Sequence, residues 1–256
     1  MKKQGQTTFS PDRKLGSVPV LRFENRGAVR VLTLNRPEKR NALNSELTQA
    51  LLDALRAADA DDSVACVVLT GAGQGFCAGA DLSEFKDLQQ PGAAEARSEL
   101  TMQLHLAFSR MKKPVVTAIN GAAMGGGAGL AIAGDLAVMS ASARIGYPEA
   151  KHGIVAAIAM ANLVRQVGRK AAFELVALGE PIGAAKALAL GVVNRVAPDA
   201  RVLEEALALA AQLAAVSRPA MAETKRLFHE VADLPLDRAL ERGRETNRRM
   251  RAFDRK

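Results

Sequence analysis

The feature that most constrains this chain is a pair of glycine-rich segments, each placed directly after a short apolar run. They are GAGQGFCAGADL at 71–82 and NGAAMGGGAGLAIAGD at 120–135, preceded by VACVVLTG and PVVTAIN. The two apolar runs have the length and β-branched content of buried strands. A glycine turn leaves backbone N–H groups unscreened by Cβ, so they can point at an anion. The second segment also opens a small-residue helix, whose N-terminal dipole favours negative charge. Two readings stay open on the residues alone. Donors from separate loops can converge on a developing oxyanion, or the glycines only permit tight turns and close helix packing.

The rest of the chain repeats a strand-then-helix rhythm. AVRVLTL at 28–34 alternates as a strand, and the loop NRPEKRNALN follows. Asn44 or Ser45 caps a helix with Leu47, Leu51, Leu55 and Ala58 on one face, ended by Asp61 and Asp62. A second helix is predicted over 97–111, then a buried strand, the 125–127 glycine run, and short strands at LAVMS and ARIGY. Past about residue 156 the pattern turns helical, with helices expected at 157–167, 169–178, 183–190, 202–216, 218–231 and 234–252 and one strand at VVNRV. This predicts an α/β core over 17–198, layered in repeated units, and a helical C-terminal region over 199–256 that packs on the core or on a neighbouring subunit. Residues 1–16 read as a disordered tail.

Composition removes other classes. No run approaches the roughly 18 apolar residues of a membrane span. The basic start MKK has no apolar stretch behind it, so it is no secretory signal, and Asp12 argues against a transit peptide. Two cysteines, Cys66 and Cys77, form no disulfide framework, which suits a reducing cytoplasm. The net charge of +8 comes with only 4% aromatics, a poor platform for nucleic acid. Its densest run, Arg242, Arg244, Arg248, Arg249, Arg251, Arg255 and Lys256, is interleaved with Glu241, Glu245 and Asp254. It reads first as a solvated helix face, then as a surface for a polyanionic small molecule, and only third as a nucleic-acid site.

Familiar catalytic signatures are absent. His105, His152 and His229 show no metal-ligand spacing and read as surface or packing residues, so no metal site is expected. There is no Gly-x-Ser-x-Gly elbow and no phosphate-binding P-loop. The glycines at 71 and 73 follow a strand, but Phe76 stands at the third position of the dinucleotide fingerprint.

LNRPEKRNALN, GAGQGFCAGADL, AINGAAMGGGAGLAIAGDL and ARIGYPEAKHGI resemble, in order and spacing, the successive motifs of the enoyl-CoA hydratase/isomerase (crotonase) family. GEPIGAAKALALGVVNRV resembles the family's segment before its C-terminal helices, so the likeness covers about residues 20–250. It implies a crotonase-like spiral of ββα units, a C-terminal helical trimerisation region, and a homotrimer or hexamer. It also implies an acyl-CoA thioester substrate with no separate cofactor, since coenzyme A arrives as part of the substrate. By motif alignment Ala80 and Gly126 fall at the two oxyanion-hole positions. Lys39, Arg40 and Ala42 match the loop along the CoA moiety, where Lys39 and Arg40 could meet its phosphates. Ala78, Ala80, Asp81, Leu82 and Ser83 match the segment around adenine and pantetheine.

The acid–base positions carry the most informative departure. Family hydratases commonly use two glutamates. One matches Glu149 in GYPEAKHG; the other falls at Gly129, a glycine that leaves room for a water or another side chain. One carboxylate suffices to move a proton from C2 to C4, so the resemblance favours double-bond isomerisation by Glu149. Hydration, with Glu84, Asp81 or a bound water standing in for the second acid, is the alternative. Decarboxylation or C–C cleavage would use the same oxyanion hole. From other classes, a catalytically weak acyl-CoA binder and an RNA-binding protein remain. Tyr147, the only tyrosine, is either a site hydrogen-bonding group or a packing residue.

Overall fold

The computed structural model describes residues 18–251. The expected 1–16 tail and, from the basic run, Asp254, Arg255 and Lys256 lie outside the described residues. The chain runs β1 (Leu21–Arg26), β2 (Val29–Leu34), α1 (Ser45–Ala60), β3 (Cys66–Gly71), β4 (Gly75–Cys77), α2 (Ala93–Arg110), β5 (Val115–Ile119), β6 (Ala122–Met124) and α3 (Gly126–Ala131). It continues through β7 (Leu136–Ser140), β8 (Arg144–Gly146), α4 (Ala157–Leu178), β9 (Ile182–Gly183), α5 (Ala184–Ala189) and β10 (Arg195–Ala197) to the helices α6 (Val202–Ala214), α7 (Arg218–Val231) and α8 (Leu236–Met250). This is α/β architecture, a spiral of ββα units followed by helices, as the resemblance implies.

Each full unit contributes one strand to each of two sheets. The large sheet has the order β1-β2-β3-β5-β7-β10, parallel except for β1 against β2. The small sheet has the order β4-β6-β8-β9, with β4, β6 and β8 parallel and β9 antiparallel. Parallel strands buried on both faces need near-continuous apolar runs, which explains CVVLTG and VVTAI. Alternate residues divide between two cores. Val67, Leu69, Val115 and Ile119 join Leu47, Leu51 and Leu55 of α1 on one face. Val29, Val31, Cys66, Val68, Val116 and Val138 meet Val202, Ala206, Leu209 and Ala210 of α6 on the other. Thus α6, though part of the helical section read from the sequence, closes the far face of the large sheet.

The Asn44 cap is present, its side chain accepting from the Leu47 amide at 2.9 Å. Two boundaries shift. The strand near VVNRV lies later, at Arg195–Ala197, and α2 begins at Ala93 after Gly92 in a left-handed turn. The two helices expected at 157–167 and 169–178 are both present along α4, separated at Gly168, whose φ of 76° and ψ of 169° are not helical. More consequential, both glycine-rich segments contain a strand, β4 and β6, where the sequence indicated only loop. Strands of three residues show no alternation to read, and these two exist because they pair with each other.

α7 is fastened to the core by a buried ion pair. Lys225 Nζ donates to Asp135 Oδ2 at 2.7 Å and to the Lys113 carbonyl at 2.9 Å, and its side chain is 4% exposed. Asp135 also accepts the Val115 amide. Although burial opposes ionisation, bonds from His229 and Lys225 hold its carboxyl below the usual range. Lys225→Met should therefore destabilise the fold by about 3 kcal/mol, the low end for breaking a buried pair, since Asp135 keeps the Val115 amide. Urea unfolding of the purified variant measures this.

Candidate active site

The three parallel strands of the small sheet end side by side, and each releases one candidate group just past its C-terminal end. Ala80 follows β4 by three residues, Gly126 follows β6 by two, and Glu149 follows β8 by three. Sites at the carboxyl ends of parallel strands are the general rule in α/β proteins. Pairing of Met124 with Gly146 continues as a bond from the Gly125 amide to the Gly146 carbonyl at 2.8 Å. That bond sets the turn into Tyr147, Pro148 and Glu149 against the start of α3.

Ala80 owes its orientation to a second pairing. Leu43 bridges Ala80 in parallel register: the Leu43 amide donates to Gly79 O at 2.7 Å and the Asp81 amide to Leu43 O at 3.1 Å. In such a ladder the bridged residue's own N–H points away from its partner. The Ala80 amide is thereby turned from the 40–43 segment. Gly126 is the first residue of α3, where amides have no intrahelical acceptor. Among the described residues neither amide donates a hydrogen bond. The two lie close together. A Cβ placed on Gly126 would be 3.9 Å from the Ala80 nitrogen, and one on Gly79 would be 3.3 Å from the Gly126 nitrogen. Gly79 (φ 94°) and Gly125 (φ 55°, ψ −125°) both hold left-handed conformations that a side chain strains. Two convergent free donors of this kind can stabilise charge growing on a carbonyl oxygen.

Glu149 stands beside them. Its Oε1 lies 2.9 Å from where a Gly125 Cβ would be, so Gly125 is bare because the carboxylate packs on it. Oε2 is buried without a partner. Burial raises the Glu149 carboxyl above its ordinary value, partly offset by its own amide and by His152. The Tyr147 hydroxyl is also buried without a partner, and burial together with the Glu149 charge raises its pKa further. A carboxylate of raised pKa next to free donors is equipped for proton transfer.

The other candidates separate into groups. Lys39 and Arg40 are exposed on the turn after β2, and Ala42 is buried behind them. Ala78 donates its amide to Arg40 O, Leu82 is exposed and Ser83 bonds Asp81. Asp81 is not free for acid–base work. The Ser83 hydroxyl and amide and the Arg36 guanidinium hold its carboxyl down at about 2. Glu84 is likewise occupied, accepting from the Ser45 amide at 2.9 Å. The thiols of Cys66 and Cys77 are pushed up to about 12 by burial, so neither is a nucleophile. No group of three or more metal-ligating side chains occurs among the described residues. Of the basic run, Arg242 pairs with Glu230 and Glu245 and Arg249 with Glu223, whereas Arg244, Arg248 and Arg251 form no ion pair among the described residues.

Gly129 overturns one expectation. It leaves no open room: a Cβ there would lie 2.7 Å from Ala159 Cβ and 3.2 Å from His105 Cε1. α4 and α2 have moved in to fill the space. His105, read from sequence as a surface or packing residue, packs against α3 at this position. Burial pulls its imidazole down to about 4, so it is neutral at neutral pH, and its Nδ1 lies 3.4 Å from Asn162 Nδ2. Its 24-residue distance from Gly129 gave no signal.

A family model described as enoyl-CoA hydratase/isomerase matches residues 24–253. A Thermus thermophilus protein provisionally named an enoyl-CoA hydratase is 45% identical over 83% of this chain and 85% of its own length. The Escherichia coli protein named 2,3-dehydroadipyl-CoA hydratase is 38% identical over 85% of this chain and 84% of its own. A solved Mycobacterium smegmatis enoyl-CoA hydratase superposes with a TM-score of 0.89 at 32% identity, covering 93% of each chain.

The packing at Gly129 makes a direct prediction. Gly129→Glu should not simply add a second carboxylate but should lower stability by about 1–3 kcal/mol from overpacking alone. Ala159→Gly in the same chain should recover part of that loss in thermal unfolding.

Proposed function

Because the chain belongs to the enoyl-CoA hydratase/isomerase family, we propose that it transforms acyl-CoA thioesters through an enolate, with Glu149 as its acid–base group. The Ala80 and Gly126 amides form the oxyanion hole, and no separate cofactor is needed, since coenzyme A enters with the thioester. The observation that carries this reading is the Glu149 carboxylate packed on Gly125, one residue from the free Gly126 amide. A base there meets the carbon next to a carbonyl held by both donors.

On a 3-enoyl-CoA, Glu149 takes a proton from C2, electrons flow into a dienolate on the thioester oxygen, and the protonated glutamate returns the proton to C4. The double bond then lies between C2 and C3. The lone carboxylate, with Ala159 and His105 filling the space beside Gly129, favours this isomerisation. Hydration is the second reading, favoured by the names of the relatives. There water adds its oxygen to C3 as Glu149 takes its proton, and Glu149 then protonates C2. A homotrimeric or hexameric assembly belongs to the same proposal. The exposed Phe173 and Leu178 of α4 and Leu236 and Leu240 of α8 are apolar surface for subunit contact.

Turnover of 3-enoyl-CoA and 2-enoyl-CoA in heavy water, followed by mass, separates the reactions. Deuterated 2-enoyl product marks isomerisation, and a gain of one water marks hydration. Glu149→Gln should lower either activity about 100-fold or more while acyl-CoA still binds; unchanged turnover would remove Glu149 from the mechanism.

The pH dependence follows from the raised Glu149 pKa. Activity should rise with pH through a value above the ordinary carboxylate range, because the base must be ionised. Stability has the opposite sign. The folded chain holds this proton more tightly than the unfolded chain, so ionisation costs stability between the ordinary value and the raised one. Glu149→Gln should therefore remove that loss, which chemical unfolding across this pH window would show.

A further inference from the structure

We propose that Arg36 is a positioning residue for the reaction, holding the Ala80 amide on target by stapling the turn after β2 to the loop after β4. This rests on the oxyanion reading of Ala80. Arg36 Nη1 donates to the Ala42 carbonyl at 2.6 Å, and Nη2 donates to Asp81 Oδ2 at 2.8 Å. Ala42 and Asp81 flank the Leu43–Ala80 bridge, one on each side of it. A single planar guanidinium therefore spans both segments at the point where the amide direction is set. The ion pair is nearly closed to water, its side chains 13% and 7% exposed, so solvent screens it little.

The rest of the neighbourhood supports the same assignment. Arg97 Nη2 donates to Leu43 O at 2.9 Å, the carbonyl that also accepts the Asp81 amide. Arg40 and Asn41 both lie in the left-handed region, at φ 50° and 56°. Non-glycine residues persist there only when surrounding contacts over-determine them. Asn41, fully buried, supplies such contacts by accepting the Arg36 amide and donating to the Ala72 and Gly75 carbonyls. The turn is thus a tensioned element, and the guanidinium is its link to the loop carrying Ala80. Both of its terminal nitrogens are engaged inside the protein, which distinguishes it from the exposed Lys39 and Arg40.

Without the staple, the Leu43–Ala80 bridge has more freedom and the amide points at the thioester oxygen for less of the time. The loss falls on the transition state, where charge on that oxygen is largest, more than on substrate binding. In Arg36→Gln and Asp81→Asn, kcat should fall by about tenfold or more, short of the 10²–10³ expected for losing a donor outright, with KM within about threefold. Arg36→Lys, which keeps the charge but cannot bridge both acceptors, should recover only part of kcat.

A chromophoric thioester, 4-(dimethylamino)cinnamoyl-CoA, reports the amide itself, because polarising its carbonyl shifts the absorption to the red. The wild-type complex and the Glu149→Gln complex should show the shift, and the Arg36 and Asp81 variants a smaller one. Full shift and kcat within twofold in both Arg36→Gln and Asp81→Asn overturns the staple and leaves the oxyanion reading intact. No shift in the wild-type complex at saturation overturns both. If Arg36→Gln does not fold, the isosteric Asp81→Asn decides the matter alone.

Discussion

Parallel pairing of three very short strands governs this site. β4, β6 and β8 are three residues each, yet their alignment places the groups that follow them at the same end of the small sheet. Pairing at this distance from the large sheet requires backbones to approach more closely than a Cβ permits. A side chain on Gly79 would sit 2.7 Å from Met124 O, and one on Gly127 2.3 Å from Cys77 O. The glycines thus bring the two loops together, and the free amides are a consequence of that approach.

Rigidity at the site comes from backbone contacts tied by a few buried polar side chains. Asn41 fixes the turn after β2, Arg36 ties it to Asp81, and Arg97 reaches over from α2 to the Leu43 carbonyl. None of these meets the candidate reaction centre. Donors that are held in place before charge develops need no reorganisation when it does, and that is the part the proposed oxyanion hole gives to these supporting bonds. Glu149 is the contrasting case. Its buried, unpartnered oxygen is unfavourable for folding and useful for proton transfer.

Much of this was legible in the residues. CVVLTG and VVTAI read as buried strands, Asn44, one of two candidate caps with Ser45, caps its helix, and the four motifs, through the family resemblance, pointed to Ala80, Gly126 and Glu149, which the structure brings together. The short strands inside the glycine segments were not legible, because three residues carry no period. Nor was the role of Asp81. In sequence it is one more residue of GADL, whereas its carboxylate is turned toward Arg36, 45 residues earlier.

What the sequence by itself determined is the inventory: an α/β repeat from its apolar runs, two glycine-rich segments and, through the family resemblance, one glutamate where two are common. Those are local properties, set by residue type and by spacing along a strand or helix. Tertiary structure decided how the inventory is used. It closed the space at Gly129 with Ala159 and His105, raised the Glu149 pKa by burying it, and aimed the Ala80 amide through its pairing with Leu43. Each of these depends on which distant segments become neighbours, and the free energy of a buried charge or an unpaired amide is set by those neighbours.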